Sequence, residues 1–121
     1  MKNKVLLIED NEKNRYLISF LLEKGGLTVI QAVNGKEGIE KAVSEMPDLI
    51  LLDIQLPGIN GYEVAKILKE NEETVKIPVV AVTSYAMKGD REKALEAGCT
   101  GYIEKPIDPD NFITQIKKYL E

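Results

Sequence analysis

Five polar residues whose side chains could do chemistry follow four short apolar runs of this chain. They are, in chain order, Glu9, Asp10, Asp53, Thr83 and Lys105. If the runs are strands of one parallel sheet, their carboxyl ends share an edge, and open α/β folds place their sites at that edge. Three acids, a hydroxyl and an ammonium would then meet in one cleft. This set is the outline of a divalent-cation and phosphoryl site.

The balance of charge in such a cleft favours a metal ion. Three carboxylates at close range repel one another and raise their own pKa values unless something positive neutralises them. A hard divalent cation with oxygen ligands does this, and Mg²⁺ commonly takes one or two carboxylates while keeping waters. The alternative is that Lys105 alone balances the acids, which would leave the pocket net negative.

Each residue also has a simpler structural interpretation. Asp53 could cap the following turn, and Thr83 could be an ordinary β-branched residue at a strand end. Lys105 could be a solvated lysine beside a turn. However, it precedes Pro106, and X-Pro bonds are the only peptide bonds that readily adopt the cis form. A cis bond at Pro106 would turn the chain sharply and direct the ammonium into the cleft.

Apolar runs alternate with helical patterns five times along the chain, which predicts one doubly wound α/β domain. The predicted strands are residues 4–9, 27–32, 49–52, 79–82 and 100–104. Helices are predicted at 12–24, at 35–45, after Asn60, at 88–97 and after Asp108. Thr28 and Gln31 interrupt the second run, as expected for an edge strand. The third run is apolar on both faces, as a strand covered by helices on both sides should be.

Apolar spacing of three and four residues predicts the inward face of each helix. The predicted inward residues are Leu17, Phe20 and Leu21; then Ile39, Ala42, Val43 and Met46; then Val64, Ile67 and Leu68; and finally Phe112, Ile113, Ile116 and Leu120. Helix starts are predicted at Asn11, Asn60 and Asp108, and helix ends at Gly25-Gly26, Pro47 and Gly98.

Composition limits the function. The chain has 121 residues, a length typical of one domain. Its net charge is −4 and its 16 basic residues are scattered, which disfavours direct binding of nucleic acid. Histidine is absent, which excludes histidine-based catalysis. The lone Cys99 fits a reducing, cytoplasmic compartment, and the N-terminal apolar run is too short for a signal peptide or a membrane span.

In order and spacing, these residues resemble the receiver domain of two-component response regulators over essentially all of residues 1–121. The matching motifs are Glu9-Asp10, the block of residues 51–61 (LLDIQLPGING), Thr83-Ser84 and Lys105-Pro106. Residues 86–90 and 97–102 are most similar to the single-domain, cell-division and polarity type of receiver. The resemblance implies a flavodoxin-like fold with five parallel strands in the order 2-1-3-4-5 and five helices.

The resemblance also implies a role for each matching residue. Asp53 would be the phosphoacceptor, receiving a phosphoryl group from a phosphohistidine on a histidine kinase or a histidine phosphotransfer protein. Asp10, Asp53 and the backbone carbonyl of Gln55 would hold Mg²⁺, with Glu9 acting partly through a bound water. Lys105 would stabilise the phosphoryl oxygens.

A conformational output is implied as well. Thr83 would move to hydrogen-bond the phosphoryl group, and Tyr102 would fill the space it leaves. This switch would reshape the face of the fourth helix, fifth strand and fifth helix for a downstream protein target. Gln55 and Tyr85 would border the phosphoryl group and tune its lifetime.

Rival functions fit less well. A flavodoxin-like electron carrier needs a loop that binds flavin phosphate, and Glu9-Asp10 would repel it. A haloacid-dehalogenase-like phosphatase needs a second Asp where Gln55 stands. The alternative left open is a pseudo-receiver that binds proteins without being phosphorylated. The chain is either complete or the receiver of a hybrid kinase or larger regulator. No motif in the sequence indicates its cognate kinase, its target, the lifetime of its phosphoryl group or its oligomeric state.

Overall fold

The computed structural model describes residues 4–56, 58–83 and 90–120, which form an alternating series of strands and helices. The strands are β1 Lys4–Ile8, β2 Thr28–Ala32, β3 Leu49–Asp53, β4 Val79–Thr83 and β5 Gly101–Glu104. The helices are α1 Glu12–Lys24, α2 Gly35–Glu45, α3 Gly61–Glu70, α4 Asp90–Glu96 and α5 Pro109–Leu120. Predictions that concern Pro57, Tyr85 and the rest of residues 84–89 lie outside the described residues.

The five strands form one parallel sheet in the order β2-β1-β3-β4-β5. This order confirms the predicted fold class, and it places β2 at an edge as its polar residues predicted. The register pairs Ile8 with Leu52 and Asp53 with Val82, so the ends of the central strands are level with one another. The polar residues at these ends are therefore brought side by side.

Side chains alternate between the two faces of the sheet, and each face packs against its own set of helices. One core cluster joins Leu6 and Ile8 to residues of α2, α3 and α4. The other joins Val5 and Leu7 to residues of α1 and α5. Covering both faces explains why β3 and β4 are buried along their whole length.

The predicted helix ends are largely confirmed. The side chain of Asn11 accepts a hydrogen bond from the Asn14 amide at 2.9 Å, and that of Asn60 accepts one from the Glu63 amide at 3.0 Å. These caps satisfy amides that have no partner inside their helices. Gly25 ends α1. The loops before α1 and α3, which flank the acidic residues, are thereby fixed.

The predicted inward face of α1 is wrong in part. Leu21 is buried, but Leu17 is 44% and Phe20 is 51% exposed, and Ile18 and Leu22 occupy the core instead. Apolar residues lie on several sides of this helix, so spacing alone cannot select the stripe that meets the sheet. The result is an apolar surface on α1 that faces outward.

Smaller corrections concern the ends of elements. Met46, predicted to face inward, is the left-handed C-cap of α2 and is 52% exposed. Asp53 and Thr83, predicted to follow their strands, are each the last residue of a strand. In the last helix Phe112 and Ile116 are buried as predicted.

Candidate functional site

The acids predicted from the strand ends do converge. Ligand oxygens of Glu9, Asp10 and Asp53 all lie within 4.8 Å of one another. Glu9 is 1% exposed and Asp53 is 4% exposed, whereas Asp10 is exposed. The β1–α1 loop carries two of the acids and β3 carries the third. This arrangement is an acidic cleft in which two acids are buried and one is exposed to solvent.

The two oxygens of Asp53 have different surroundings. Oδ1 accepts a hydrogen bond from the backbone amide of Gln55 at 3.0 Å. Oδ2 lies 3.8 Å from Nζ of Lys105. One oxygen is therefore held by the main chain, and the other faces the ammonium.

Lys105 pairs more closely with Glu9 than with Asp53. Its Nζ donates to Oε1 of Glu9 at 2.9 Å, and the two side chains are 13% and 1% exposed. Oε2 of Glu9 accepts from the backbone amide of Asn11 at 3.2 Å. The Lys105–Pro106 bond is cis, as predicted. The single lysine thus balances mainly one acid of the three.

Burial and charge together raise the pKa of Asp53. Loss of solvent raises it most, the adjacent Glu9 side chain raises it further, and the Gln55 amide lowers it. The charge of Glu9 raises it and that of Lys105 lowers it, with the result that the pKa rises from 3.8 to about 7. The charge of Lys105 is therefore not enough to keep the pKa of Asp53 at its usual value.

The donor set fits a hard divalent cation. Three carboxylates at the ends of two neighbouring strands converge, one of them exposed to solvent, and oxygen ligands of this kind suit Mg²⁺. Burial and the adjacent Glu9 raise the pKa of Asp53, and a bound cation would favour its charged form. Among the described residues, this is the one cluster of at least three potential metal ligands.

The structure also describes three of the remaining predicted residues, Thr83, Gln55 and Tyr102. Thr83 is buried at the end of β4, and its carbonyl accepts from the Lys105 amide at 2.7 Å. Gln55 is half-buried just beyond β3. Tyr102 is half-buried in β5 and lines a surface cavity of about 320 Å³ with Gln115, Lys118 and Tyr119. Tyr85 lies outside the described residues.

Sequence reasoning missed Arg15. Its Nη1 donates to the carbonyl oxygens of Glu9 at 3.0 Å and Asp10 at 3.2 Å. The available signal was its position in the first turn of a helix, where the helix dipole disfavours a cation. An unfavourable local choice of this kind often marks a residue that is needed by its surroundings.

Sequence reasoning also missed the steric role of Gly61. A Cβ there would lie 2.5 Å from the Ile54 Cα and 2.7 Å from the Asp53 carbonyl oxygen. The Gly61 amide donates to the Ile54 carbonyl at 3.0 Å. The start of α3 therefore packs directly against the backbone that carries Asp53.

Comparison with known proteins identifies the class. Residues 5–117 match the response regulator receiver domain, and the chain belongs to this family. Its fold, its acidic cleft and its family agree with one another. No helix within the described residues is long and apolar enough to cross a membrane.

Individual relatives match over nearly their whole lengths. The chain is 48% identical over 120 residues to the polar-differentiation response regulator DivK of Brucella anthropi, covering 99% of this chain and 98% of that protein. This similarity confirms the predicted resemblance to single-domain polarity receivers.

Solved structures of other proteins of this kind have the same fold as this chain. The chemotaxis protein CheY4 of Vibrio cholerae has a TM-score of 0.93 at 25% identity, covering 99% of this chain and 100% of that one. The receiver domain of the sensor histidine kinase PA1611 of Pseudomonas aeruginosa has a TM-score of 0.91 at 29% identity, covering 99% and 98%. That structure contains a magnesium ion in its active-site cleft.

Proposed function

We propose that this chain is a phosphoacceptor in a two-component phosphorelay, with a single receiver domain over residues 1–121 and Asp53 as the residue that accepts the phosphoryl group. The observation that carries the proposal is the surroundings of Asp53. It is a buried acid at a strand end, next to two further carboxylates and 3.8 Å from an ammonium. A purely structural aspartate would have no need of this arrangement.

The proposed reaction is a transfer from a phosphohistidine. An oxygen of the Asp53 carboxylate attacks phosphorus while the bond from phosphorus to the imidazole nitrogen breaks. The electron pair of that bond returns to the histidine. A carboxylate is a weak nucleophile, so the protein acts through positioning and charge. The Gln55 amide fixes one oxygen of Asp53, and Lys105 stabilises the transferred oxygens.

Mg²⁺ is the proposed cofactor. Asp10, Asp53 and the backbone carbonyl of Gln55 would hold it, with Glu9 contributing partly through a water. When bound, the ion supplies positive charge to the phosphoryl oxygens. Glu9 stands where many members of the family carry Asp, and its direct pairing with Lys105 at 2.9 Å fits its longer side chain.

A histidine kinase or a histidine phosphotransfer protein is the proposed donor. Leu17 and Phe20 form an outward apolar surface on α1, and Leu17 lines a cavity of about 480 Å³ with Lys105 and Pro106. An apolar surface beside the acidic cleft suits a protein donor. Leu17→Ser should slow transfer from a phosphotransfer protein and leave transfer from acetyl phosphate unchanged; equal slowing of both would remove this surface from docking.

The proposed output is a switch at the face formed by α4, β5 and α5, which would bind a downstream protein. Thr83 lies at the end of β4 beside the strand of Asp53, and Tyr102 lies on the neighbouring strand β5. Phosphorylation adds nearly two negative charges and strong acceptors, which would draw the Thr83 hydroxyl inward. Tyr102 would then take the vacated space. This movement would shift the equilibrium between two pre-existing conformations of the face.

The test is the intact mass of the protein after incubation with acetyl phosphate, with and without Mg²⁺. Wild type should gain one phosphoryl group only when Mg²⁺ is present, and Asp53→Asn should gain none. Asp110→Asn, which changes an exposed carboxyl at the start of α5, is the matched control and should behave as wild type.

The competing function is a pseudo-receiver that binds proteins without phosphorylation. A wild-type protein that is folded and binds Mg²⁺, yet gains no mass, would support that function. A gain that persists in Asp53→Asn would assign the phosphoryl group to another residue.

A further inference from the structure

Arg15 is attached to the backbone of the acidic loop rather than to its carboxylates. A single nitrogen, Nη1, donates to the carbonyls of Glu9 and Asp10 at 3.0 and 3.2 Å. No ion pair joins Arg15 to a carboxylate anywhere in the part of the chain that the structure describes. The guanidinium therefore clamps two successive peptide units of the β1–α1 loop.

The three acids of the cleft are not held equally. The Glu9 carboxylate accepts from the Asn11 amide and from Lys105, and the Asp53 carboxylate accepts from the Gln55 amide. The Asp10 carboxylate is exposed, and among the described residues it accepts no hydrogen bond. Its position is therefore set through its backbone, which is the group that Arg15 binds.

We propose that Arg15 is a positioning residue for Mg²⁺, acting by fixing the peptide units that carry Glu9 and Asp10. This inference rests on the proposed function, which places the ion at the acids. A ligand that is already oriented loses less freedom on binding, and partners outside the ligand shell commonly change metal affinity by at least tenfold. The clamp thus lowers the cost of bringing the exposed Asp10 to the ion.

The charge of Arg15 acts in the opposite direction. A cation beside the cleft repels Mg²⁺, so a neutral side chain at residue 15 would tighten binding if charge were its only influence. The two effects change the affinity for Mg²⁺ in opposite directions, so the affinity of a variant with a neutral residue 15 shows which effect is larger.

The experiment is a titration of the unphosphorylated protein with MgCl₂, followed by the amide shifts of Asp10 and Asn11 in ¹H–¹⁵N spectra. The variants are Arg15→Met, Arg15→Gln and Arg15→Lys. The control is Lys13→Met, which removes the same charge from an exposed residue of the same helix. The dispersion of each spectrum shows that the variant is folded, and either neutral variant suffices if the other does not fold.

Arg15→Met and Arg15→Gln should bind Mg²⁺ about tenfold more weakly than wild type. Arg15→Lys should recover most of this loss, because one nitrogen makes both bonds in the wild type and an ammonium can replace it. Lys13→Met should equal wild type or bind slightly more tightly.

Two results would overturn the inference. If the neutral Arg15 variants bind Mg²⁺ as tightly as wild type or more tightly, Arg15 does not position the ligands. If they bind Mg²⁺ more weakly and Arg15→Lys binds it just as weakly, the hydrogen bonds of Arg15 to the loop carbonyls do not explain the loss of affinity. A wild type that binds no Mg²⁺ is a separate failure, because it refutes the metal part of the proposed function and this inference with it.

Discussion

At the scale of the residue, the buried carboxyl of Asp53 couples the stability of the fold to pH. Its pKa rises from 3.8 to about 7 because burial and the neighbouring Glu9 disfavour the charged form. The folded protein therefore holds this proton more tightly than the unfolded chain does. The contribution of Asp53 to stability is greatest below its unfolded pKa and is lost as pH rises through the folded one.

Asp53→Asn should consequently stabilise the metal-free protein in a pH-dependent way. The asparagine stays neutral, so the variant should be more stable than wild type by roughly 4 kcal/mol at about pH 8, and most of this difference should be lost near pH 4. Urea unfolding of both proteins in EDTA measures this difference. A difference that is constant between those pH values would show that the Asp53 carboxyl does not titrate in this window.

Lys105→Met should destabilise the fold, because it leaves Glu9 buried without its cation. Removing one partner of a buried pair costs about 3 kcal/mol. Lys41→Met is the control, because Lys41 pairs with Glu37 at 3.8 Å with both side chains 39% exposed, and such surface pairs contribute less than about 1 kcal/mol. Denaturation midpoints compare the two variants. Equal losses would contradict the importance of the buried pair.

The residues of the cleft could be predicted from sequence because strand ends in a parallel sheet meet at one edge. Glu9, Asp10, Asp53 and Lys105 all follow from that rule. The choice of Lys105 to pair with Glu9 could not be predicted, since it depends on side-chain length and rotamer. The Arg15 clamp could not be predicted either, because a basic residue in a first helical turn has no fixed partner in the sequence.

At the scale of the element, the start of α3 is held against β3 by Gly61. Gly61→Ala should destabilise the fold by about 2 kcal/mol, because a Cβ would meet backbone that cannot move aside. It should also slow phosphorylation by displacing Asp53. Chemical denaturation and the acetyl phosphate reaction measure the two effects.

Gly58→Ala is the matched control in the same loop. Gly58 has a φ of +77°, but apart from its chain neighbours no described atom lies within 4 Å of the place that a Cβ would take, so the cost is only that of the left-handed backbone, about 1 kcal/mol. Phosphorylation should then stay close to wild type. If Gly58→Ala impaired phosphorylation as much as Gly61→Ala, the effect would be general to the loop and not a consequence of packing against Asp53.

Tyr102 is the proposed link between the cleft and the α4–β5–α5 face. Tyr102→Ala should leave the rate of phosphorylation by acetyl phosphate within about twofold of wild type, since Tyr102 is not one of the residues that hold the acids. It should weaken binding of the phosphorylated protein to its target and reduce the amide shift changes that phosphorylation causes in β5 and α5. Unchanged shift differences and partner affinity would remove Tyr102 from the switch.

Element types and order were predictable, but helix orientation was not always so. The polar residues of β2 and the wholly apolar β3 identify an edge strand and a central strand. In α1, by contrast, Leu17, Ile18 and Phe20 offer competing stripes, and only packing against the sheet selects Ile18. The outward Leu17 and Phe20 are therefore a finding of the structure.

At the scale of the whole molecule, the sheet order brings two separate loops and two strand ends to one edge. The same topology connects that edge to the face formed by α4, β5 and α5, because β5 bears Tyr102 and leads directly to Lys105. In the proposed function, a change of charge at the cleft would reach the proposed protein-binding face through this one strand. This connection is what a receiver needs if its output is protein binding.

Residues beyond two different strands are proposed to set the lifetime of the phosphoryl group. Gln55 lies two residues beyond Asp53 and Tyr85 two beyond Thr83, and both are proposed to border the phosphoryl group. Changing Gln55 to Ala should alter the decay rate of the phosphorylated protein more than its stability. The loss of the added mass with time measures the decay. Superimposable decay curves for wild type and variant would refute the assignment of Gln55.

The phosphoacceptor is identified most directly by locating the phosphoryl group after transfer from a phosphorus–nitrogen donor. The protein is incubated with phosphoramidate and Mg²⁺, reduced with borohydride, which converts an acyl phosphate to an alcohol, and mapped by peptide mass spectrometry. If Asp53 is the phosphoacceptor, residue 53 is recovered as homoserine, whereas Glu9 and Asp10 are unmodified. Modification of another residue, or no modification in a folded protein that binds Mg²⁺, would contradict the assignment of Asp53 as the phosphoacceptor.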